Sequence, residues 1–220
     1  FPLAKIEIRK NPNFYSLVNL AKGGVIKIFD LKKNELLYND CGVIAVLEKR
    51  NQVVTSQWIE NDYKLDVSDN CLTIEGHLNK IPLKYFTPFK NIIFRSFLLI
   101  FGWNTKLSYW IKGFIRKLLV VGTRLVPIKI KRSIRFADNI VTIEDLLTLE
   151  GNINLKSLFI RDEFSVRFVP QSLYFQSQEL GVNGYNIEDK YISIINNTKQ
   201  LTVKRIVDTS NGEISFSIEE

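Results

Sequence analysis

The side chains that most often carry catalysis or bind metals are scarce in this chain. His77 is the only histidine, and Cys41 and Cys71 are the only cysteines. A Ser-His-Asp triad would depend on His77, and the common zinc sites need more His and Cys ligands than these. The cysteines fit no metal spacing and are typical of small buried hydrophobic residues, with one disulfide between them as the alternative. We therefore expect no metal and no cofactor.

Basic residues, by contrast, are concentrated in one stretch. Residues 76–137 hold thirteen Lys or Arg and no Asp or Glu, although the whole chain has 30 basic and 23 acidic residues and a formal charge of +7. So long an acid-free stretch predicts a negatively charged partner, and a solvated basic surface is the alternative. The cations that we assign to ligand binding are Arg95, Lys112, Arg116, Lys117, Arg124, Lys129, Lys131, Arg132 and Arg135.

Short alternating segments make up most of the chain and would position these cations. Segments such as GVIKIFD, CLTIEGHL, KYISIIN and LTVKRIV alternate apolar with polar residues, and turn sequences such as KGG, NDCG and SNG separate them. A period of two is typical of strands with one apolar face, which a second sheet must cover. We predict a mainly β protein, an antiparallel two-sheet β-sandwich, as a single domain over residues 1–220. His77 lies in one of these strand patterns, and we interpret it as structural.

One segment, at about residues 104–122, departs from this period. In NTKLSYWIKGFIRKLLVVG the polar residues Ser108, Lys112 and Arg116 recur every four positions, and the apolar residues fall on the opposite side. This pattern predicts one amphipathic helix. Its apolar residues are Leu107, Trp110, Ile111, Phe114, Leu118 and Val121.

Three kinds of anionic partner could bind the basic stretch. Nucleic acid would need exposed aromatic rings between the cations, whereas Trp103, Tyr109 and Trp110 are better explained by packing at helical spacing, so we do not expect nucleic acid. Anionic membrane headgroups suit a basic amphipathic helix with Trp and Phe on its apolar side. An acidic polysaccharide suits Arg and Lys on a sheet face, because Arg pairs with carboxylate or sulfate in a fork. Composition does not separate the last two partners.

The run IKRSIRFADNIVTIEDLLTLEG, residues 130–151, resembles the β-sandwich region of heparinase II/III-type polysaccharide lyases. Arg135, the turn FADN and Asp145 stand where that family has an Arg-containing strand, a turn, and a strand of the form apolar-x-apolar-x-Asp. Asp40 and Gly42 match the family's DxG turn. Arg135 and Asp145 would then form an ion pair or turn contacts within the sandwich, or would contact the ligand.

This resemblance implies a sandwich module that binds or positions an acidic polysaccharide. The family's lyases draw their catalytic Tyr and His from a helical toroid and the sandwich. This chain has no room for a toroid and no matching catalytic motif, so we expect no catalysis by the chain alone. A helical domain before residue 1 and a location in the cell envelope are further implications. Aromatic residues among amides and hydroxyls, Trp58 in TSQW and Tyr174 in QSLYFQSQ, could face sugar rings. The alternative function is a peripheral membrane protein that binds through the helix at 104–122.

Overall fold

The chain divides into two compact units. The first comprises Phe1–Ile81, Leu125–Ser165 and Val182–Glu220, and the second comprises Pro82–Arg124 and Val166–Gly181. No linker in the sequence marks this division. The expectation of a single domain stays a prediction, because compactness alone does not show whether either unit folds independently. The computed structural model describes residues 4–58, 63–81, 125–161 and 184–219, together with residues 89, 92, 95, 96, 99, 107, 109, 110 and 113.

Antiparallel strands form most of the described part of the first unit. They are β1 (Ile6–Lys10), β2 (Phe14–Asn19), β3 (Val25–Asp30), β4 (Glu35–Asp40), β5 (Val43–Leu47), β6 (Val53–Thr55), β7 (Lys64–Val67), β8 (Cys71–Lys80), β9 (Leu125–Phe136), β10 (Ile140–Leu149), β11 (Leu155–Arg161), β12 (Gly184–Asn186), β13 (Gln200–Asp208) and β14 (Ile214–Glu219).

These strands form two sheets, as the alternating sequence predicted. The first sheet has the order β1-β2-β3-β4, and the second has the order β12-β11-β5-β6-β8-β9-β10-β13-β14, with β7 also paired to β8. Tyr185 on β12 and Phe216 on β14 stack with ring centroids 4.7 Å apart, although these strands stand at opposite ends of the order. The second sheet is therefore curled. The prediction of a mainly β, antiparallel, two-sheet fold is confirmed.

Two apolar clusters fill the first unit. One cluster packs β2 and β3 of the first sheet against β8, β9, β10 and β13 of the second, with Ile28, Leu72 and Ile134 fully buried. The other cluster fills the curl of the second sheet and includes Leu78 and Leu147. Every second side chain of a strand faces inward. The strands β9, β10 and β13 are long enough for this inward row to reach both clusters.

A helix, α1 (Asp189–Thr198), covers part of the second cluster. The segment KYISIIN within it was predicted as a strand, and that prediction is wrong. Its Ile residues suggest a strand by composition, but Ile192 and Ile195 are the buried pair, at helical spacing. Lys199 ends the helix in a left-handed conformation and donates its backbone N–H to the Ile195 carbonyl.

The predicted helix at 104–122 lies largely outside the described residues. Leu107, Tyr109, Trp110 and Gly113 are described, and each is helical. They belong to the second unit, as do the described helical residues between 89 and 99. No helix within the described residues is long and apolar enough to cross a membrane.

Candidate functional site

A buried cluster of four charged residues lies between the two sheets. Asp40 ends β4, and Arg132, Asp145 and Arg205 lie on the neighbouring strands β9, β10 and β13. All four side chains are at most 1% exposed. We call these residues the buried charge cluster, and two arginines and two aspartates make its formal charge zero.

Asp145 is the centre of this cluster. Arg132 donates from Nε to Asp145 Oδ1 at 2.6 Å and from Nη2 to Oδ2 at 2.7 Å, which is a two-bond fork. Arg205 donates from Nη2 to the same Oδ2. Both Arg side chains also approach Asp40, with Arg132 Nη1 3.2 Å from Oδ1 and Arg205 Nε 3.3 Å from Oδ2. Each carboxylate is therefore shared between two guanidinium groups.

Strand alternation brings these charges into the interior. Arg132 follows Ile130 and precedes Ile134 at the inward positions of β9, and Asp145 lies between Ile143 and Leu147 in the same way on β10. Cross-strand pairing places Asp145 directly opposite Arg132. The row of charges separates the two apolar clusters, because each strand changes from one cluster to the other at its charged residue.

The turns around the cluster are adapted to it. Gly42 has a φ of +96° and donates its backbone N–H to Asp40 Oδ1 at 2.7 Å, which fixes the carboxylate. Gly24 has a φ of +76°, and its carbonyl accepts from Arg132 Nη1 at 3.0 Å. A Cβ on Gly24 would lie 2.9 Å from Arg132 Cδ, so a larger residue would displace the guanidinium.

Arg132, Asp145 and Arg205 remain ionised despite their burial. Burial raises the pKa of Asp145, but Arg132 and Arg205 outweigh it and lower the pKa to about 2. Burial lowers the pKa of Arg132, but Asp145 and Asp40 outweigh that effect and raise it above its usual value. The pKa of Tyr38 is raised by burial and then by the charge of Asp40, to which its hydroxyl donates at 3.4 Å. The cluster has a formal charge of zero, and through Asp40 it links β4 of the first sheet to Arg132 and Arg205 of the second.

Arg132 is therefore not part of an exposed basic surface. The sequence assigned it to ligand binding, but its guanidinium is buried and paired within the core. Trp58, predicted to face a sugar ring, is only 7% exposed and is also a core residue. Asp145, expected to pair within the sandwich, does so with Arg132 and Arg205, whereas Arg135 pairs with Glu144.

The outward cations of β9 face acids on the strands beside them. Lys129 Nζ lies 2.6 Å from Glu150, and a hydrogen bond with that carboxylate raises the pKa of Lys129. Arg135 Nη1 lies 3.4 Å from Oε2 of Glu144, a residue of the next strand, β10. Lys131 is directly opposite Glu75 of β8. The sequence stretch lacks acids, but the folded surface does not, since antiparallel neighbours supply them.

The remaining predicted ligand-binding residues belong to the second unit. Arg95 is described, helical and exposed. The other five lie outside the described residues: Lys112, Arg116, Lys117, Arg124 and Tyr174.

Large apolar side chains are exposed beside Arg95. Phe89, Ile92 and Leu99 are helical and 71%, 63% and 75% exposed. Each of the three is described as helical, and their spacing of three and seven residues is that of side chains on one side of a helix. Tyr109 and Trp110 are exposed to a similar degree. We call Phe89, Ile92 and Leu99 the apolar stripe; the sequence pattern had not singled out these three residues.

No family model, no curated protein and no solved structure matches this chain. The resemblance to heparinase II/III-type lyases stays a prediction. Within the described residues, no group of His, Cys, Asp and Glu is arranged to hold a metal ion. The functional argument consequently depends on the surfaces of the chain itself.

Proposed function

We propose that this chain attaches peripherally to an anionic membrane surface through its second unit. The observation that carries the proposal is the apolar stripe, in which Phe89, Ile92 and Leu99 are each more than three-fifths exposed. Large apolar side chains aligned on one helix face favour insertion into the interface between headgroups and acyl chains.

Charge supports the same partner. Residues 82–124, which make up most of the second unit, contain eight Lys or Arg and no Asp or Glu. Arg95 is exposed next to the apolar stripe. Cations near an anionic membrane contribute about 1 kcal/mol each, and apolar insertion adds about 0.8 kcal/mol per buried methylene. The two contributions together favour attachment, whereas basic charge alone would favour any polyanion.

The polysaccharide prediction has less support from the first unit. Its proposed cations on β9 are paired with, or opposite to, Glu144, Glu150 and Glu75. Exposed ion pairs of this kind are weak, but they reduce the net charge that a polyanion would meet. Polysaccharide binding, a role within a larger lyase-like protein and a cell-envelope location therefore stay predictions.

The experiment is sedimentation of the purified chain with vesicles of phosphatidylcholine, with and without phosphatidylglycerol, beside retention on heparin. We expect binding to the anionic vesicles, weaker binding to neutral vesicles, and partial loss as salt screens the cations. Retention on heparin without vesicle binding would refute membrane attachment and favour the polysaccharide.

A triple variant tests whether the apolar stripe makes the contact. Phe89→Ser, Ile92→Ser and Leu99→Ser together should weaken vesicle binding by about 2 kcal/mol or more, roughly thirtyfold, because three apolar side chains no longer insert. The matched control is Leu36→Ser, Val67→Ser and Ile140→Ser, which removes three exposed apolar side chains of the first unit. It should bind vesicles like the wild type.

A further inference from the structure

A cleft of about 440 Å³ opens at one end of the second sheet, in the first unit. Its apolar lining residues include Leu47 of β5 and Val126 and Pro127 of β9. One wall is the tight connection from β5 to β6, and the other is the loop at 152–154 between β10 and β11.

Polar contacts fix the two walls of the cleft. The backbone N–H of Glu48 donates to the carbonyl of Asn154 at 3.0 Å, and Asn154 Nδ2 donates to Glu48 Oε2 at 3.2 Å. Lys156 Nζ donates to Asn51 Oδ1 at 3.0 Å, and Lys199 Nζ donates to Asn154 Oδ1 at 3.2 Å. These hydrogen bonds hold the two walls in place, and the carboxylate of Glu48 accepts one of them from the Asn154 amide.

Three cations line this cleft. They are Lys49 and Arg50 on one wall and Lys80 at the end of β8. Within the described residues none of the three forms an ion pair, in contrast to Lys129, Arg132, Arg135, Lys190 and Arg205. Arg50 is held with a φ of +67°, an uncommon conformation for arginine.

We infer that this cleft binds a phosphate monoester. Three cations and one carboxylate give the residues that line the cleft a formal charge of +2, and Lys156 and Lys199, which donate to its walls, add positive charge beside it. A phosphate monoester carries about −1.5 to −2 at neutral pH, whereas a single carboxylate or sulfate ester would neutralise at most half of the charge of the lining. Arg binds phosphate oxygens through its fork, and Lys acts as a point charge. The apolar lining residues of the cleft would contact the group that carries the phosphate.

This inference does not depend on membrane attachment, because every residue named for the cleft lies in the first unit. The phosphate could belong to a soluble metabolite or to a lipid headgroup, which the experiment separates. The test uses the full chain with Phe89→Ser, Ile92→Ser and Leu99→Ser, so that the apolar stripe does not mask binding in the cleft.

The primary measurement is titration with glycerol 3-phosphate, followed by NMR shifts and calorimetry. We expect saturable binding with shifts at residues 48–52 and 152–154, and at least tenfold weaker binding of glucuronate. Equal or tighter binding of glucuronate, or shifts confined to other residues, would overturn the inference. If the chain binds phosphatidic acid vesicles and glycerol 3-phosphate competes with that binding, the inference is supported and the phosphate belongs to a lipid headgroup.

Matched variants decide whether the cations are responsible. Arg50→Asn removes the charge but suits the left-handed backbone, and Arg50→Lys keeps the charge. We expect Arg50→Asn and Lys80→Gln each to weaken glycerol 3-phosphate binding at least tenfold, and Arg50→Lys to weaken it less. Lys204→Gln, a surface change on β13 away from the cleft, should have no effect. Unchanged binding of glycerol 3-phosphate by Arg50→Asn and Lys80→Gln would refute the proposal.

Discussion

Adjacent residues on β10 show how differently two carboxylates can be used. Asp145 is fully buried and accepts hydrogen bonds from Arg132 and Arg205. Glu144 faces outward and lies 3.4 Å from the exposed Arg135. Loss of a buried ion-pair partner leaves an uncompensated charge in the core, whereas loss of an exposed partner leaves a charge that water can solvate.

Asp145→Asn should therefore lower the free energy of unfolding by about 3–5 kcal/mol, because two buried guanidinium groups lose their central carboxylate. Glu144→Gln should cost less than about 1 kcal/mol. Urea unfolding of both variants and the wild type measures these values. Similar costs for the two variants would show that the buried charge cluster contributes little to stability.

The lowered pKa of Asp145 also predicts an acid-sensitive contribution to stability. Its pKa is about 2 in the folded chain and about 3.9 when unfolded, so the unfolded state binds the proton more readily. The contribution is present above about pH 4 and is lost as the pH falls toward 2. Between pH 5.5 and 3 the wild type should lose more unfolding free energy than Asp145→Asn. Parallel pH profiles would contradict this assignment.

More of the buried charge cluster could have been predicted from the sequence than was predicted. The resemblance drew attention to Asp145 and Asp40, and an ion pair of Asp145 with Arg135 was one of its alternatives, whereas Asp145 pairs with Arg132. Arg132 and Arg205 each occupy a position where the alternation requires an apolar residue. The place of each Arg at an inward-facing position of its strand can be recognised from the sequence alone. The contact of Arg132 with Gly24, 108 residues away, depends on how the sheets pack, so the sequence does not predict it.

At the level of elements, the Asn196 side chain bonds α1 to β11. Asn196 Oδ1 accepts from the backbone N–H of Leu155 at 2.7 Å, and its Nδ2 donates to the Leu155 carbonyl at 2.9 Å. The amide thus pairs with both backbone groups of Leu155, which is a buried residue. Truncation would leave these groups without partners.

Asn196→Ala should cost about 1–3 kcal/mol of unfolding free energy, the penalty for unsatisfied buried backbone groups. Its exposed neighbour provides the control, and Asn197→Ala should change stability by no more than about 0.5 kcal/mol. Thermal and urea unfolding would both report the difference. An equal, small effect in both variants would show that α1 is held by Ile192 and Ile195 alone.

Elements were predicted well where the sequence fits only one period and poorly where it fits two. β8, β10 and β13 followed from clear alternation, whereas the Ile residues of KYISIIN satisfy both strand and helix patterns. For the cations of β9, the charge pattern of the sequence was an incomplete guide to the folded surface, for a different reason. A sequence stretch shows charge along the chain, but antiparallel pairing surrounds β9 with Glu75 and Glu144 from other strands.

At the scale of the whole molecule, the two units differ in how their charges are arranged. The described first unit pairs many of its cations with acids, both in the buried charge cluster and along β9. The second unit contains residues 82–124, in which eight cations have no acid in the sequence around them, and it exposes the apolar stripe. This difference is the basis for assigning membrane attachment to the second unit.

The most direct test of this account is the partition of two variants onto phosphatidylglycerol-containing vesicles. The triple serine variant of Phe89, Ile92 and Leu99 should bind roughly thirtyfold more weakly than the control variant of Leu36, Val67 and Ile140, with both folded by circular dichroism. Equal partition of the two variants would contradict the claim that the apolar stripe attaches this protein to membranes.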